Sequence, residues 1–228
     1  MLLLAFDSAT TACSAAVLRD GGIAAHRHAA MARGQSEHLV PMIEDVMAAA
    51  GAAYGELDAI GVTVGPGAYT GVRIGLATAR GLALAAAVPL IGVTTTEAVA
   101  HGARPDGTDG RDLVVALETK RTDVYLETFA PDLDPRGAPA AVAAEDLAAS
   151  LPNDPYFLAG DAAARLLTLL PPAQARAATP LSDAPGAPDA AVVAHLAAAR
   201  LPRGDVPATP QPLYLRPPDV TPPKARRP

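Results

Sequence analysis

Tryptophan is absent from this 228-residue chain, aromatic residues make up only 4% of it, and there is one cysteine, Cys13. A lone thiol excludes an intrachain disulfide framework and any cysteine-rich zinc or iron–sulfur site, and it fits a reducing compartment, so a cytoplasmic location is expected. Positive charge is also in short supply, with 18 Lys+Arg against 24 Asp+Glu for a net −6. The stretch 217–228 carries Lys224, Arg226 and Arg227 against Asp219, which leaves the body more acidic than the whole. Such a body lacks the cationic field that a nucleic-acid backbone selects. The start has no basic residues ahead of its apolar run and meets Asp7 at once, so it does not read as a signal peptide. The longest apolar stretch, 81–96, is broken by Pro89 and is too short to span a bilayer. No membrane role is expected.

What is present is an apolar half: 50% of the residues are hydrophobic. The length suits one larger domain or two small ones with a core that needs no staples. Of the 23 prolines only Pro41, Pro66, Pro89 and Pro105 fall within 1–130, so the N-terminal half is the regular one. There, apolar runs at 2–6, 13–19 and 23–28, separated by polar and Gly-Gly turns, read as a β-meander. Leu39, Ile43, Val46, Met47 and Ala50 form a helical stripe, with Ser36 as cap, Gly51 as stop, and Pro41 either in the first turn or at a kink. A strand at 57–64, a glycine-rich loop, a helix at 72–87, a strand at 89–93 and a helix opening at Thr95 follow. The order β-β-β-α-β-α-β-α implies an α/β layer with three antiparallel strands and helical crossovers thereafter. The linker 102–110 is the expected boundary, giving subdomains 1–105 and 106–216 and a disordered Pro-rich basic tail, 217–228. Beyond the linker, 113–117 and 124–129 look like strands, and 144–149, 162–170 and 190–200 look helical.

Four features bear on chemistry. Asp7-Ser8-Ala9-Thr10-Thr11 places a carboxylate and hydroxyls in a turn directly after a buried strand. Such a turn can hold a phosphate or a metal-bound water, or Asp7 and Thr10 can simply satisfy the turn itself. Gly65, Gly67 and Gly71 form G-x-G-x-x-x-G between a strand and a helix. An anion could dock at that helix N-terminus, but the spacing is one residue too long for a dinucleotide fingerprint and no Gly-Lys-Ser/Thr follows. The alternative is a tight turn with Thr70 as cap. His26-x-His28 shares one strand face and lacks further ligands, so no metal site is expected and strand histidines in solvent are the plainer reading. Finally, the only charges within 72–87 are Arg73 and Arg80, seven apart on one stripe. A helix on a sheet needs an apolar stripe of only about 100°, so a neighbouring helix or a partner must cover the rest. Gly75, Ala79 and Ala83 would allow close approach, and Met42 and Met47 are adaptable contacts.

The stretches LLAFDSATTACSAAVL, SEHLVPMI, AIGVTVGPGAYTGVRIGLATARGLALAAAVPLIGVTTTEAVA and PLYLRPPDVT closely resemble the TsaB (YeaZ) family over residues 2–100 and 212–221. The resemblance implies an α/β actin-like ATPase (ASKHA, sugar-kinase and Hsp70-like) fold of two βββαβα-type subdomains. It also implies a non-catalytic partner of the TsaD transferase, serving with the TsaE ATPase to place threonylcarbamoyl on the adenosine beside the tRNA anticodon. Under that resemblance Asp7, Ser8, Thr10 and Thr11 are a vestigial phosphate loop. The second phosphate loop falls at Leu117-Glu118-Thr119-Lys120-Arg121-Thr122-Asp123, without glycine, and the adenosine loop at Ala159-Gly160-Asp161-Ala162, with one. The nucleotide site is therefore expected to be degenerate, with no cofactor, no metal and no catalytic residue. Met42, Val46, Val72, Arg73, Leu76, Ala79, Arg80 and Ala83 are the expected partner face, Arg73 and Arg80 setting register at its rim. A heterodimer with a TsaD-like protein, a homodimer when alone, and contact with tRNA only through the complex are the expected associations. The alternatives are a sugar-kinase-like phosphotransferase using Asp7 and, less consistent with the spacing, an NAD-type dehydrogenase.

Overall fold

The computed structural model describes residues 1–103, 109–181, 186–201 and 209–216. The chain lays down one topology twice. β1 (Leu2–Asp7), β2 (Ala12–Arg19) and β3 (Gly22–Ala30) precede helix α1 (Gln35–Ala49), β4 (Ala59–Thr63), α2 (Tyr69–Ala86), β5 (Leu90–Val93) and α3 (Thr95–Gly102). β6 (Leu113–Glu118), β7 (Val124–Phe129) and β8 (Ala140–Val142) then precede α4 (Leu147–Ser150), β9 (Tyr156–Ala159), α5 (Ala163–Leu169), α6 (Pro172–Ala177), β10 (Ala178–Pro180) and α7 (Ala190–Arg200). The sheets are ordered β3-β2-β1-β4-β5 and β8-β7-β6-β9-β10. In each, the first three strands are antiparallel and the last two join in parallel. This duplicated unit is the actin-like ATPase architecture that the family resemblance implied.

Strand β1 is buried along its whole length because both of its faces are covered. Its period-two alternation sends Leu4 and Phe6 into the layer with α1 and α2, and Leu3 and Ala5 into the layer with α7. Two helices cross between the halves. α3 packs Val99 and Ala100 against Leu113, Val115 and Leu117 of the second sheet, while α7 packs Val193, Ala194 and Ala197 on the first. Gly61 makes room for α7, since a Cβ there would lie 2.8 Å from that of Ala197. The expected division at 105/106 falls among residues 104–108, which lie outside the described residues, as does the tail 217–228; the packing of α3 and α7 crosses that division.

The helix ends differ from expectation. α1 starts at Gln35 behind Gly34, which takes the left-handed conformation (φ 98°), so Ser36 lies inside the helix and caps nothing. Pro41 sits past the first turn. α2 begins at Tyr69 with Ala68 at its N-cap, and Thr70 is an ordinary helical residue. β8, β9 and β10, three or four residues each, carry no sequence pattern that marks them in advance. No described helix is long and apolar enough to cross a membrane.

Candidate functional site

A cleft of about 850 Å³ opens between the two halves. It is lined by Thr10 and Thr11 of the β1–β2 turn, Arg33 to Ser36 before and in α1, residues 67–74 at the start of α2, the β6–β7 turn from Glu118 to Arg121, Asp161, and the segment 213–216. The expected phosphate loop is thus split. Thr10 and Thr11 reach the cleft, whereas Asp7 and Ser8 are sealed beneath it, 0% and 1% exposed.

Asp7 ends β1, and its Oδ1 accepts from Thr63 Oγ1 (2.5 Å) and from the Ala9 amide (3.1 Å). Its Oδ2 has no partner. Burial pushes the carboxyl up to about 7 against the pull of those two hydrogen bonds, with Asp189 adding a smaller repulsion. Ser8 Oγ donates to the Gly71 carbonyl (2.9 Å), and the Ala68 amide donates to the Ala9 carbonyl (2.7 Å). The glycine loop is zipped onto the Asp7–Thr11 turn in this way. A Cβ at Gly67 would stand 2.3 Å from the Ala9 oxygen, and one at Gly71 2.1 Å from the Ser8 oxygen. These two glycines therefore serve backbone contact between two loops.

The positions expected for the other two nucleotide loops are filled by their own side chains. Glu118 pairs with Arg165 Nε (2.8 Å) and its amide donates to Asp161 Oδ1 (2.8 Å). Thr119 Oγ1 bonds the carbonyl and carboxylate of Asp123 (2.7 and 2.8 Å), and Arg165 Nη2 donates to that same carbonyl (2.9 Å). Gly160, at φ 102°, lets its backbone ride over β6, where a Cβ would meet the Ala116 oxygen at 2.1 Å. Burial raises the Asp161 carboxyl above its ordinary value, opposed by its bond from the Glu118 amide.

A stretched segment, 209–216, straps the halves together. Leu213 N donates to Val64 O (2.7 Å), Arg80 Nη2 to Pro210 O (2.8 Å), and Arg73 Nε to Tyr214 Oη (2.8 Å), while Arg216 pairs with Asp123 across the cleft.

Residues 16–154 match the family model described as TsaD, tRNA N6-adenosine threonylcarbamoyltransferase. "tRNA threonylcarbamoyladenosine biosynthesis protein TsaB" of Escherichia coli is 37% identical over 133 residues, which is 58% of this chain and 56% of that protein. The chain thus spans about half the length of the curated TsaB relatives it matches. An uncharacterized protein of Mycobacterium tuberculosis is 32% identical over 222 residues, 96% of this chain and 94% of its own. The solved structure of YeaZ from Pseudomonas aeruginosa superposes with a TM-score of 0.79 at 28% identity, covering 94% of this chain and 99% of that one. The chain belongs to the TsaB (YeaZ) family.

The residues expected to form a partner face lie mostly within the chain's own core. Val46, Val72, Leu76, Ala79 and Ala83 all lie in the first core of the chain itself, none more than 7% exposed, and Met42 packs against the same cluster. They are the inner stripe of α1 and α2, resting on β1 and β4. Arg73 and Arg80 are exposed but committed to the strap. On the opposite side of α2, Ala77, Gly81, Leu84 and Ala85 are exposed beside half-buried Ile74 and Thr78, and Leu84 is 84% exposed. Val40 of α1 is open as well. Of the histidines, His26 is half-buried rather than free in solvent: its Nε2 faces Asp189 Oδ1 at 2.9 Å, where Asp189 caps α7. Sequence reasoning missed the strap. Its one signal was the family-like closing segment Pro212-Leu-Tyr-Leu-Arg.

Proposed function

We propose that this chain is a non-catalytic subunit of the assembly that modifies tRNA with threonylcarbamoyl. It would hold a TsaD-like transferase in a fixed orientation and offer a composite surface to a TsaE-like ATPase in the cytoplasm. The TsaB name of its relatives supports the pathway. The role rests on one observation: α2 carries a second apolar stripe, Ala77, Gly81, Leu84 and Ala85, turned away from its own core, with Leu84 84% exposed. Small residues at 77, 81 and 85 let another helix come close, with Leu84 as the knob between them. A stable interface buries on the order of 1,200–2,000 Å² in total, and helix-against-helix contact over about five turns supplies a large part of that.

The sealed carboxyl of Asp7 supports the absence of catalysis. A phosphotransferase would need that group fully charged and facing the phosphates, yet it is fully buried and burial pushes it up to about 7. The test is Leu84→Glu in the full chain, with folding checked by circular dichroism and association with a TsaD-like partner followed by calorimetry. Removing a leucine that the proposed interface would bury, and inserting a charge, should weaken the heterodimer at least about tenfold. Unchanged affinity in a folded variant would remove α2 from the interface.

A further inference from the structure

The overall acidity of the chain conceals a local reversal. Arg33, Arg73, Lys120, Arg121 and Arg216 line the cleft against two carboxylates, Glu118 and Asp161. Glu118 is already matched by Arg165, and Arg216 by Asp123. The cleft is thus cationic within a chain of net −6, and a recess of one sign focuses the field outward from its mouth.

At that mouth stands an aromatic step. Tyr69 and Tyr214 are 50% and 43% exposed, their ring centroids are 5.2 Å apart and their planes tilted by 32°. The Arg73 guanidinium lies 3.7 Å over the Tyr69 ring and bonds the Tyr214 hydroxyl, so both rings are held in place from below.

Beside the step, α2 opens with no side-chain cap and no acidic residue in its first turn, which leaves its leading amides as donors for an anion. Thr10 also lines this wall, but its unpartnered hydroxyl is buried beneath the surface and is not presented to the cleft. Facing them from the other half, Lys120 sits at the tip of the β6–β7 turn in the left-handed conformation (φ 59°), which a lysine adopts only when its surroundings enforce it. The Thr119–Asp123 and Arg165 bonds supply that enforcement.

We propose that this cleft mouth binds single-stranded RNA directly. Phosphodiester oxygens would meet the α2 amides, Arg33 and Lys120, while a base stacks on the Tyr69–Tyr214 step. Cations in a groove beside stacking rings are what a single strand requires. Duplex RNA is read by shape over about 16 base pairs, far more than one recess of this size can span. An acidic peptide would leave the aromatic step unused. The proposal rests on the tRNA-modification reading above, and it replaces the expectation that tRNA is touched only through partner subunits.

The experiment is fluorescence anisotropy on the full chain alone, with a labelled single-stranded RNA of about ten nucleotides. The same sequence as a duplex, and ATP as competitor, serve as the other arms. Single-strand binding should be salt-sensitive and stronger than duplex binding. Arg33→Gln and Lys120→Asn, the second chosen to tolerate the left-handed backbone, should each weaken it severalfold and flatten its salt dependence. Tyr214→Ala should weaken it roughly tenfold without changing that dependence, with Tyr69→Leu as the companion variant should loss of Tyr214 loosen the strap. Absence of binding up to about 100 µM RNA at low salt, indifference to the charge variants, or displacement of RNA by stoichiometric ATP would each overturn the proposal. Because the partner-association measurement uses no RNA, its outcome separates failure here from failure of the subunit role.

Discussion

Replacing Asp7 with asparagine should change the pH dependence of stability more than stability itself at low pH. The folded chain holds this carboxyl at about 7, against 3.8 for an unperturbed one. Below about pH 3 the group is protonated in both the folded and unfolded chain, and burial then costs nothing in charge. As pH rises from about 4 to about 7 the unfolded chain ionises and the folded one resists, so the folded state loses ground; above about 7 both are charged and the loss stops growing. A displacement of about three pH units corresponds to about 4 kcal/mol. The asparagine carbonyl oxygen can still accept from Thr63 and from the Ala9 amide, and the amide side chain cannot ionise. Urea unfolding of both chains from about pH 4.5 to about pH 8.5 should therefore show the variant gaining on the parent as pH rises, by about 3 kcal/mol across that window. A difference between the two that stays constant with pH, or shrinks as pH rises, would refute the claim that desolvation governs this carboxyl. It would also reopen Asp7 as a charged group available for chemistry.

The remaining predictions concern close backbone contact and the strap. Gly71→Ala drives a Cβ to 2.1 Å from the Ser8 carbonyl oxygen and should cost about 3 kcal/mol or more in chemical denaturation. Gly81→Ala on the same helix meets nothing within 4 Å and should stabilise by about 0.5–1 kcal/mol in the same assay. Arg80→Ala removes the donors to Pro210 and Gln211. Hydrogen exchange at the Leu213 amide should then speed up by roughly threefold to tenfold, while affinity for a TsaD-like partner stays unchanged if Arg80 serves the strap rather than the interface.

The first sheet was legible because its strands carry long apolar runs separated by unambiguous turns, and because α1 shows one clean stripe. β8, β9 and β10 were not, since three or four residues in an Ala- and Pro-rich stretch offer too few alternations to betray a period. β9, Tyr156 to Ala159, is marked only by Pro155 before it and Gly160 after it. The inward turn of the residues expected at a partner face has a related cause. α2 is apolar on two opposite sides, so periodicity alone cannot say which side meets the sheet; the bulkier Val72 and Leu76 went inward and the small residues with Leu84 went outward. Arg73 and Arg80 do share one stripe, but their bonds reach residues about 130 to 140 positions away. Nothing in local sequence points that far. The phosphate-loop residues were likewise recognisable by type, while the division between buried Asp7 and Ser8 and cleft-lining Thr10 and Thr11 depends on how α2 seats on the turn.

The exchange of α3 and α7 between the halves has a bearing on how the molecule comes into being. A nascent chain that has emerged only as far as residue 103 owns five strands whose Leu3, Ala5, Leu18 and Ile91 await company, and one face of that sheet finds its helix only after residue 200 has left the ribosome. The two halves therefore mature as a couple. Each lends the other a roof, so a break between them should leave both pieces sticky when apart and capable of mending when mixed.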